Sequence, residues 1–173
     1  MREIEDEILV VQNHSMWPLH WKGDEVRLLR DAYYDTIPTR GDIVVVNTPA
    51  SWLFRFITGL PHDIVDLDDR FNPALLKING LVIFNYSRKT YEIGKELFYH
   101  LFGKLSFRIP DGHCLMLPND ASLYLQRHPF GIIPFDNIIG RVVSDPKEVP
   151  LGLQNKPHSV FDSSGKMGLQ LSD

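Results

Sequence analysis

The sequence is poor in cysteine, in excess positive charge and in long apolar runs. Its single cysteine, Cys114, excludes an internal disulfide and a cysteine-rich zinc site, and its apolar neighbours predict a small buried side chain. The 18 lysines and arginines are outnumbered by 22 acids, which gives a net charge of −4 and no basic field for a phosphate backbone. We therefore expect no nucleic acid partner, no metal and no other cofactor.

Segments that would cross or target a membrane are also missing. No stretch reaches the roughly 18 consecutive apolar residues that a membrane-spanning helix needs. The first seven residues carry four acids, where a signal peptide would carry positive charge. From these two absences the chain is expected to be soluble and unprocessed.

The composition that remains is that of an ordinary globular protein. Of the 173 residues, 43% are hydrophobic and 23% are charged, and this length fits one domain. Periodicity is lost after Ser144, because the segment 146–173 holds three prolines, three glycines and six serines or aspartates. We expect a folded domain over residues 1–145 and a loosely ordered tail over residues 146–173.

Short β-branched runs separated by turn residues predict a mainly β protein. The runs cover residues 8–11, 25–29, 43–46, 76–78 and 81–84, and residues 112–117 and 137–143 are expected to form two closing strands. Asn79 and Gly80 lie between two of these runs and both tolerate positive φ, which predicts a two-residue hairpin turn. Large apolar residues at helical spacing within residues 94–107 predict one short amphipathic helix.

A serine lies directly after the first predicted strand and opens an ordered series of short motifs. The series is Asn13-His14-Ser15-Met16-Trp17-Pro18-Leu19, Lys22-Gly23-Asp24, Arg40-Gly41-Asp42-Ile43 and Gly59-Leu60-Pro61-His62-Asp63, followed by Pro110-Asp111-Gly112-His113, Phe130-Gly131-Ile132-Ile133-Pro134 and Ile138-Ile139-Gly140-Arg141. This order resembles the type I signal peptidases, including their conjugative-transfer and mitochondrial inner-membrane relatives. These are membrane-bound serine endopeptidases with a Ser-Lys dyad, and the resemblance covers residues 8 to 144.

The resemblance implies a fold, an activity and a location. The fold is a signal-peptidase-like β-barrel or sandwich with one short helix. The activity is cleavage of signal or leader peptides after small residues, with the extended peptide or preprotein laid against a β-edge. By position Ser15 matches the nucleophile, and its backbone N–H together with Asn13 would hold the oxyanion. The resemblance also implies membrane association. The alternative to a catalytic role for Ser15 is that this residue only begins a turn before Pro18.

The general base is where the sequence departs from this family. The dyad lysine, which burial keeps neutral, should lie shortly before Gly59-Leu60-Pro61. Counting back from Gly59 places Arg55 there, and matching the family's Lys-Arg pair places Phe54 there. Neither side chain is expected to act as a base, because guanidinium stays protonated and phenyl has no exchangeable proton.

The support for that lysine is altered too. The family's late box begins Gly-Asp-Asn and ends Asp-Ser-Arg, whereas this chain has Pro118-Asn119-Asp120-Ala121-Ser122 and then Gln126-Arg127-His128. Two other residues are candidates for the base. His62 replaces a family glycine, and histidine is a common general base in enzymes, while Lys77 lies on the strand before the Asn79-Gly80 turn.

An apolar cluster surrounds Arg55 and consists of Trp52, Leu53, Phe54, Phe56 and Ile57. Since side chains alternate along a strand, about half of this cluster should face outward. We therefore expect residues 52–57 to include an exposed patch that contacts a membrane surface or a partner protein.

These observations leave two functions open. The first is a serine endopeptidase of the signal-peptidase kind that uses another base. The second is a catalytically inactive module of the same fold that binds a peptide or serves as a subunit of a larger assembly. A self-cleaving repressor is a weaker alternative, because only 14 residues precede Ser15 where a DNA-binding domain would be needed.

Overall fold

The computed structural model describes residues 6–12, 16, 20, 22–125, 130–143, 159–161 and 167–169. The strands within these residues are β1 (Asp6–Val10), β2 (Glu25–Arg30), β3 (Ile43–Asn47), β4 (Trp52–Gly59), β5 (Ile64–Asp68), β6 (Ala74–Ile78), β7 (Leu81–Val82), β8 (Glu92–Ile93), β9 (Ser106–Arg108), β10 (His113–Leu117), β11 (Gly131–Pro134), β12 (Ile138–Val143), β13 (Ser159–Phe161) and β14 (Met167–Leu169). One α-helix, α1 (Lys95–Phe102), lies within the described residues. The predicted mainly β fold with one short helix is confirmed.

The larger sheet has seven antiparallel strands in the order β1-β2-β12-β3-β4-β10-β11. Strand β12 lies between β2 and β3 although it comes late in the chain, and it needs Gly140 to do so. A Cβ at Gly140 would clash with the carbonyl oxygen of Leu29 on β2. Strand β1 is left at one edge of this sheet, directly before the serine motif.

The smaller sheet has the order β7-β6-β5-β9, and β8 pairs with β6 beyond this path. The predicted turn at Asn79 and Gly80 is confirmed, with φ values of 51° and 81° and Ile78 paired to Leu81. The helix is shorter than expected. Gly103 adopts a left-handed φ of 70° and donates its N–H to the carbonyl of Tyr99, which ends α1 and frees the following residues to form β9.

Three buried clusters fill the space around these sheets. The first joins the smaller sheet and α1 to Leu115 and Leu117 of β10. The second packs Met16 and Phe54 with side chains of β2, β3 and β12. The third covers the opposite face of the larger sheet and contains the predicted small buried side chain of Cys114, whose thiol pKa burial raises to about 12.

The expectation of an outward patch on residues 52–57 is wrong for most of its members. Phe54 packs into the second cluster and Ile57 into the third, so both faces of β4 are covered. Leu53 and Arg55 are buried as well. Trp52, at the start of the strand, is the exposed member, with 42% of its surface accessible, and Arg30 lies 5.3 Å from its ring centre.

The segment expected to be a tail contains β13 and β14, which pair with each other. Within the described residues neither strand joins one of the two larger sheets. The boundary at residue 145 and the loose order of residues 146–173 stay predictions.

Candidate peptide-binding and catalytic site

The predicted nucleophile Ser15 and its oxyanion partner Asn13 lie outside the described residues. The described residues next to them in the chain are Gln12 and Met16. Val11 is buried, and Met16 is fully buried in the same cluster as Phe54 of β4. Met16 therefore packs near the part of β4 that carries the predicted base position.

Among the described residues, no strand pairs with the outer side of β1, the strand before the serine. Val11 donates its N–H to Asp24 at 2.8 Å and accepts from Gly23 at 2.8 Å, so its backbone groups face β2. Because neighbouring residues in a strand point their backbone groups in opposite directions, those of Val10 face away from the sheet. The side-chain amide of Gln12 donates to the Val10 carbonyl at 3.2 Å. This edge is the kind of surface to which an extended peptide adds.

Arg55, one of the two residues predicted for the position of the dyad lysine, is fully buried. Its Nη1 donates to the carbonyl of Phe54 at 2.7 Å. Burial lowers the pKa of Arg55 to about 10, and the nearby Tyr91 hydroxyl opposes that shift slightly. Even so the guanidinium stays charged at neutral pH and has no lone pair with which to accept the proton of a serine.

The late box lies beside Arg55, as the resemblance implies. Strand β10 pairs with β4 up to Leu117 opposite Phe56, so the next residue, Pro118, is level with Arg55. The hydroxyl of Tyr91 donates to the Pro118 carbonyl at 2.7 Å. Burial raises the pKa of Tyr91, and the charge of Asp120 raises it further. Arg55, Tyr91 and the start of the late box thus form one buried group.

Sequence reasoning missed Tyr91. It follows a turn and precedes the short strand β8, and nothing in its local pattern sets it apart from other aromatic residues of the core. Its role depends on a contact 27 positions along the chain, which spacing alone does not reveal.

The remaining residues of the late box are used to build turns. The carbonyl of buried Asn119 accepts from the Asn85 amide at 2.6 Å, and its side-chain oxygen accepts from the Tyr86 N–H at 3.1 Å. The carboxylate of Asp120 accepts from the Ser122 N–H at 3.0 Å. Gln126 and the two residues after it lie outside the described part of the chain. Asn119 therefore positions the loop at residues 85 and 86.

His62 lies in the turn after β4, on the surface. Its φ of 72° belongs to the left-handed region, which explains why a glycine suits this position in the family. Its Nε2 lies 2.9 Å from the carboxylate of Asp111. From Phe54 to the end of β4 at Gly59 the extended chain spans about 17 Å, so His62 belongs to the far end of the strand.

Lys77 lies on β6 in the smaller sheet. Its partner in the register is Asp66 of β5, and its amine lies 3.6 Å from that carboxylate. The side-chain contacts that the structure gives His62 and Lys77 are with the carboxylates of Asp111 and Asp66, and they do not include Arg55. The structure thus brings Arg55 to the late box and leaves the two other candidate bases elsewhere.

A groove opens next to this site, between β4 and the chain that follows β6. Its volume is about 730 Å³. One wall is formed by Arg40 and residues 56–58, the other by residues 78–86, and Tyr91 lies between them. Sequence reasoning did not predict it, because its walls belong to two different sheets.

The described residues contain no metal site and no membrane-spanning helix. No three or more histidine, cysteine, aspartate or glutamate side chains among them are grouped to hold a metal ion. In the same part of the chain, every helix is too short or too polar to cross a bilayer.

Comparison with known proteins identifies the family. The family model for signal peptidase, peptidase S26, matches residues 3–145. A match over this much of the 173 residues means that the chain belongs to the S26 signal peptidase family. No curated protein matches the chain. The resemblance based on the serine motif and the motifs after it is therefore confirmed.

Proposed function

We propose that this member of the signal peptidase family binds an extended peptide at the free edge of β1 and has no Ser-Lys dyad with which to cleave it. Family membership implies peptide substrates, and it is typical of membrane-associated proteins. The observation that carries the proposal is the buried Arg55 at the position of the dyad lysine, held beside the late box.

The pKa of Arg55 decides what this position can do. With a pKa of about 10, roughly one molecule in a thousand is deprotonated at pH 7. A dyad lysine needs the opposite condition, namely an amine that is largely neutral while the serine attacks. Arg55 instead donates a hydrogen bond to the Phe54 carbonyl. This carbonyl lies on the side of β4 that pairs with β10, beyond the last paired residue of β10.

Peptide binding does not need that base. The N–H and carbonyl of Val10 point away from β2, directly before the serine motif, and can form ladder hydrogen bonds with an incoming strand. The Gln12 amide that now covers the Val10 carbonyl is an exposed side chain and is readily displaced. Main-chain hydrogen bonds supply affinity in this mode, and pockets for alternate side chains supply specificity.

A second function, Ser15-dependent hydrolysis with His62 as the base, is favoured by one observation. The carboxylate of Asp111 lies 2.9 Å from Nε2 of His62, and an oriented histidine is what such a mechanism requires. The position of His62 beyond the far end of β4 speaks against it, since Phe54 and Met16 share a cluster at the other end. We therefore place this function second.

The test of strand addition is the variant Val10→Pro. Proline removes the outward N–H of an edge strand without removing a bond to β2, because the Val10 N–H does not face β2. Fluorescence anisotropy with a labelled extended peptide that has small residues at its centre measures binding. We expect Val10→Pro to weaken binding about tenfold or more, and the matched control Val10→Thr, which keeps the N–H, to bind as the wild type does.

Two results would overturn this proposal. One is equal peptide affinity for Val10→Pro and Val10→Thr, which would mean that the β1 edge is not used. The other is the absence of any binding by the wild type to peptides with small central residues, at protein concentrations up to about 1 mM.

A further inference from the structure

The groove beside the candidate site has the size and lining of a ligand site. Its volume of about 730 Å³ lies within the range of about 300–1,000 Å³ that is usual for binding clefts. Three of its apolar side chains are unusually exposed, with Leu81 at 73% and Phe84 and Tyr86 at 58% each. Apolar surface of this kind in a concave wall marks a place where another apolar group binds.

Cations lie in the turn next to this groove, although the chain as a whole is acidic. Among the described residues no aspartate or glutamate lines the groove, and Arg40, which does line it, is paired with Asp63 at 2.7 Å. The adjoining turn carries the exposed cations Arg88 and Lys89. Residues 81–91 contain no acid, in a chain whose net charge is −4.

This wall is held in place rather than loosely attached. The turn closes on itself through the Asn85 N–H to the Lys89 carbonyl at 2.8 Å and the Arg88 N–H to the Asn85 carbonyl at 3.0 Å. Buried Asn119 then fixes it through its two hydrogen bonds to Asn85 and Tyr86. A preformed site loses less conformational entropy when a ligand binds.

We propose that this groove binds an apolar segment of a peptide that continues into acidic residues, so that the acidic part meets Arg88 and Lys89. The inference names the class of peptide and rests on the proposed function for the claim that a peptide is bound. A peptide fits better than a bilayer because the groove lies between two walls, at residues 56–58 and 78–86, and an extended segment can contact both walls at once. Tyr91, which also lines the groove, places it next to Arg55.

The test compares two labelled peptides with the same apolar core. One continues into Asp and Glu residues and the other into Lys and Arg residues. We expect the acidic peptide to bind about tenfold more tightly at low salt, and the difference to shrink at about 1 M salt, where charges are screened within about 3 Å. Reversing the charge of the turn with the double variant Arg88→Glu and Lys89→Glu should reverse the preference. Lys104→Glu, at an exposed lysine that does not line the groove, is the matched control.

The apolar part is tested separately. Phe84→Ser combined with Tyr86→Ser should weaken both peptides about tenfold, whereas Tyr99→Ser, at an exposed tyrosine of α1, should not. Thermal melting of each variant confirms that the fold is kept, since surface substitutions usually leave it intact.

Each outcome separates this inference from the proposed function. If binding depends on Val10 and ignores the groove variants, strand addition stands and the groove proposal is wrong. If the groove variants weaken peptide binding and Val10→Pro does not, the groove proposal is supported and strand addition is wrong. Equal affinity of the wild type for the acidic and the basic peptide overturns the groove proposal. The groove proposal is also overturned if the groove variants bind both peptides as the wild type does but no longer bind vesicles of neutral and anionic phospholipid, because the groove would then contact a membrane surface.

Discussion

The proposed function depends most on one side chain, that of Arg55. Counting back from Gly59 predicts Arg55 at the base position, and matching the family's Lys-Arg pair predicts Phe54 instead, so the sequence leaves two candidates. The structure adds that Arg55 is fully buried and lies level with Pro118 of the late box. The hydrogen bond from Tyr91 to the Pro118 carbonyl could not be predicted from the sequence, since it joins residues that are far apart in the chain.

Acid should destabilise the protein partly through Asp68. Both oxygens of its buried carboxylate accept hydrogen bonds from Arg70, at 2.8 and 2.6 Å, and these bonds lower the pKa of Asp68 to about 2. The unfolded value is about 3.9, so the stabilising effect is complete above that pH and is lost as the pH falls toward 2. We therefore expect Asp68→Asn to be less stable than the wild type at pH 6 and to lose less of its free energy of unfolding between pH 5 and pH 2.

Urea unfolding at several pH values measures this difference. Asp35→Asn, which removes an exposed carboxylate, controls for the loss of one negative charge. Parallel stability curves for the wild type and Asp68→Asn below pH 5 would show that the bond to Arg70 contributes nothing.

At the scale of elements, the sequence predicted those with strong local signals. The strands β2 and β3 follow from short β-branched runs, β10 follows from an apolar run, and the turn at Gly80 follows from its turn residues. The error was β4. A strand that is apolar on both faces has the same pattern whether one face is exposed or a second layer covers it, and only the packed sheets decide between the two.

The burial of β4 predicts a sharp contrast between neighbouring residues. Phe54→Ala should lower the free energy of unfolding by about 3–5 kcal/mol, because it leaves a cavity in the cluster that contains Met16. Trp52→Ser should cost about 1 kcal/mol or less, since the ring is 42% exposed and loses mainly its contact with Arg30. Urea unfolding of both variants provides the comparison, and similar losses would contradict the assignment of Phe54 to the core and Trp52 to the surface.

In the molecule as a whole, the candidate site lies where the two sheets meet. Strand β10 belongs to the larger sheet and contributes Leu115 and Leu117 to the core of the smaller one. The chain then leaves β10 through the late box toward the turn that walls the groove. The order of motifs predicted this family and its fold, but the groove needs the placement of both sheets and therefore had no signal in the sequence.

The central claim is that the molecule binds peptides without a working Ser-Lys dyad, and hydrolysis tests it most directly. The measurement is cleavage of an internally quenched peptide with small residues before the scissile bond, by the wild type and by Ser15→Ala, between about pH 5 and pH 10. We predict equal background rates for both at every pH. Arg55→Lys should then introduce slow, Ser15-dependent turnover that rises with pH as the buried amine becomes neutral, whereas Arg108→Lys on the surface should not. Turnover by the wild type that disappears in Ser15→Ala would contradict the account. If the single variant His62→Gly also lost this turnover, His62 would be identified as the base.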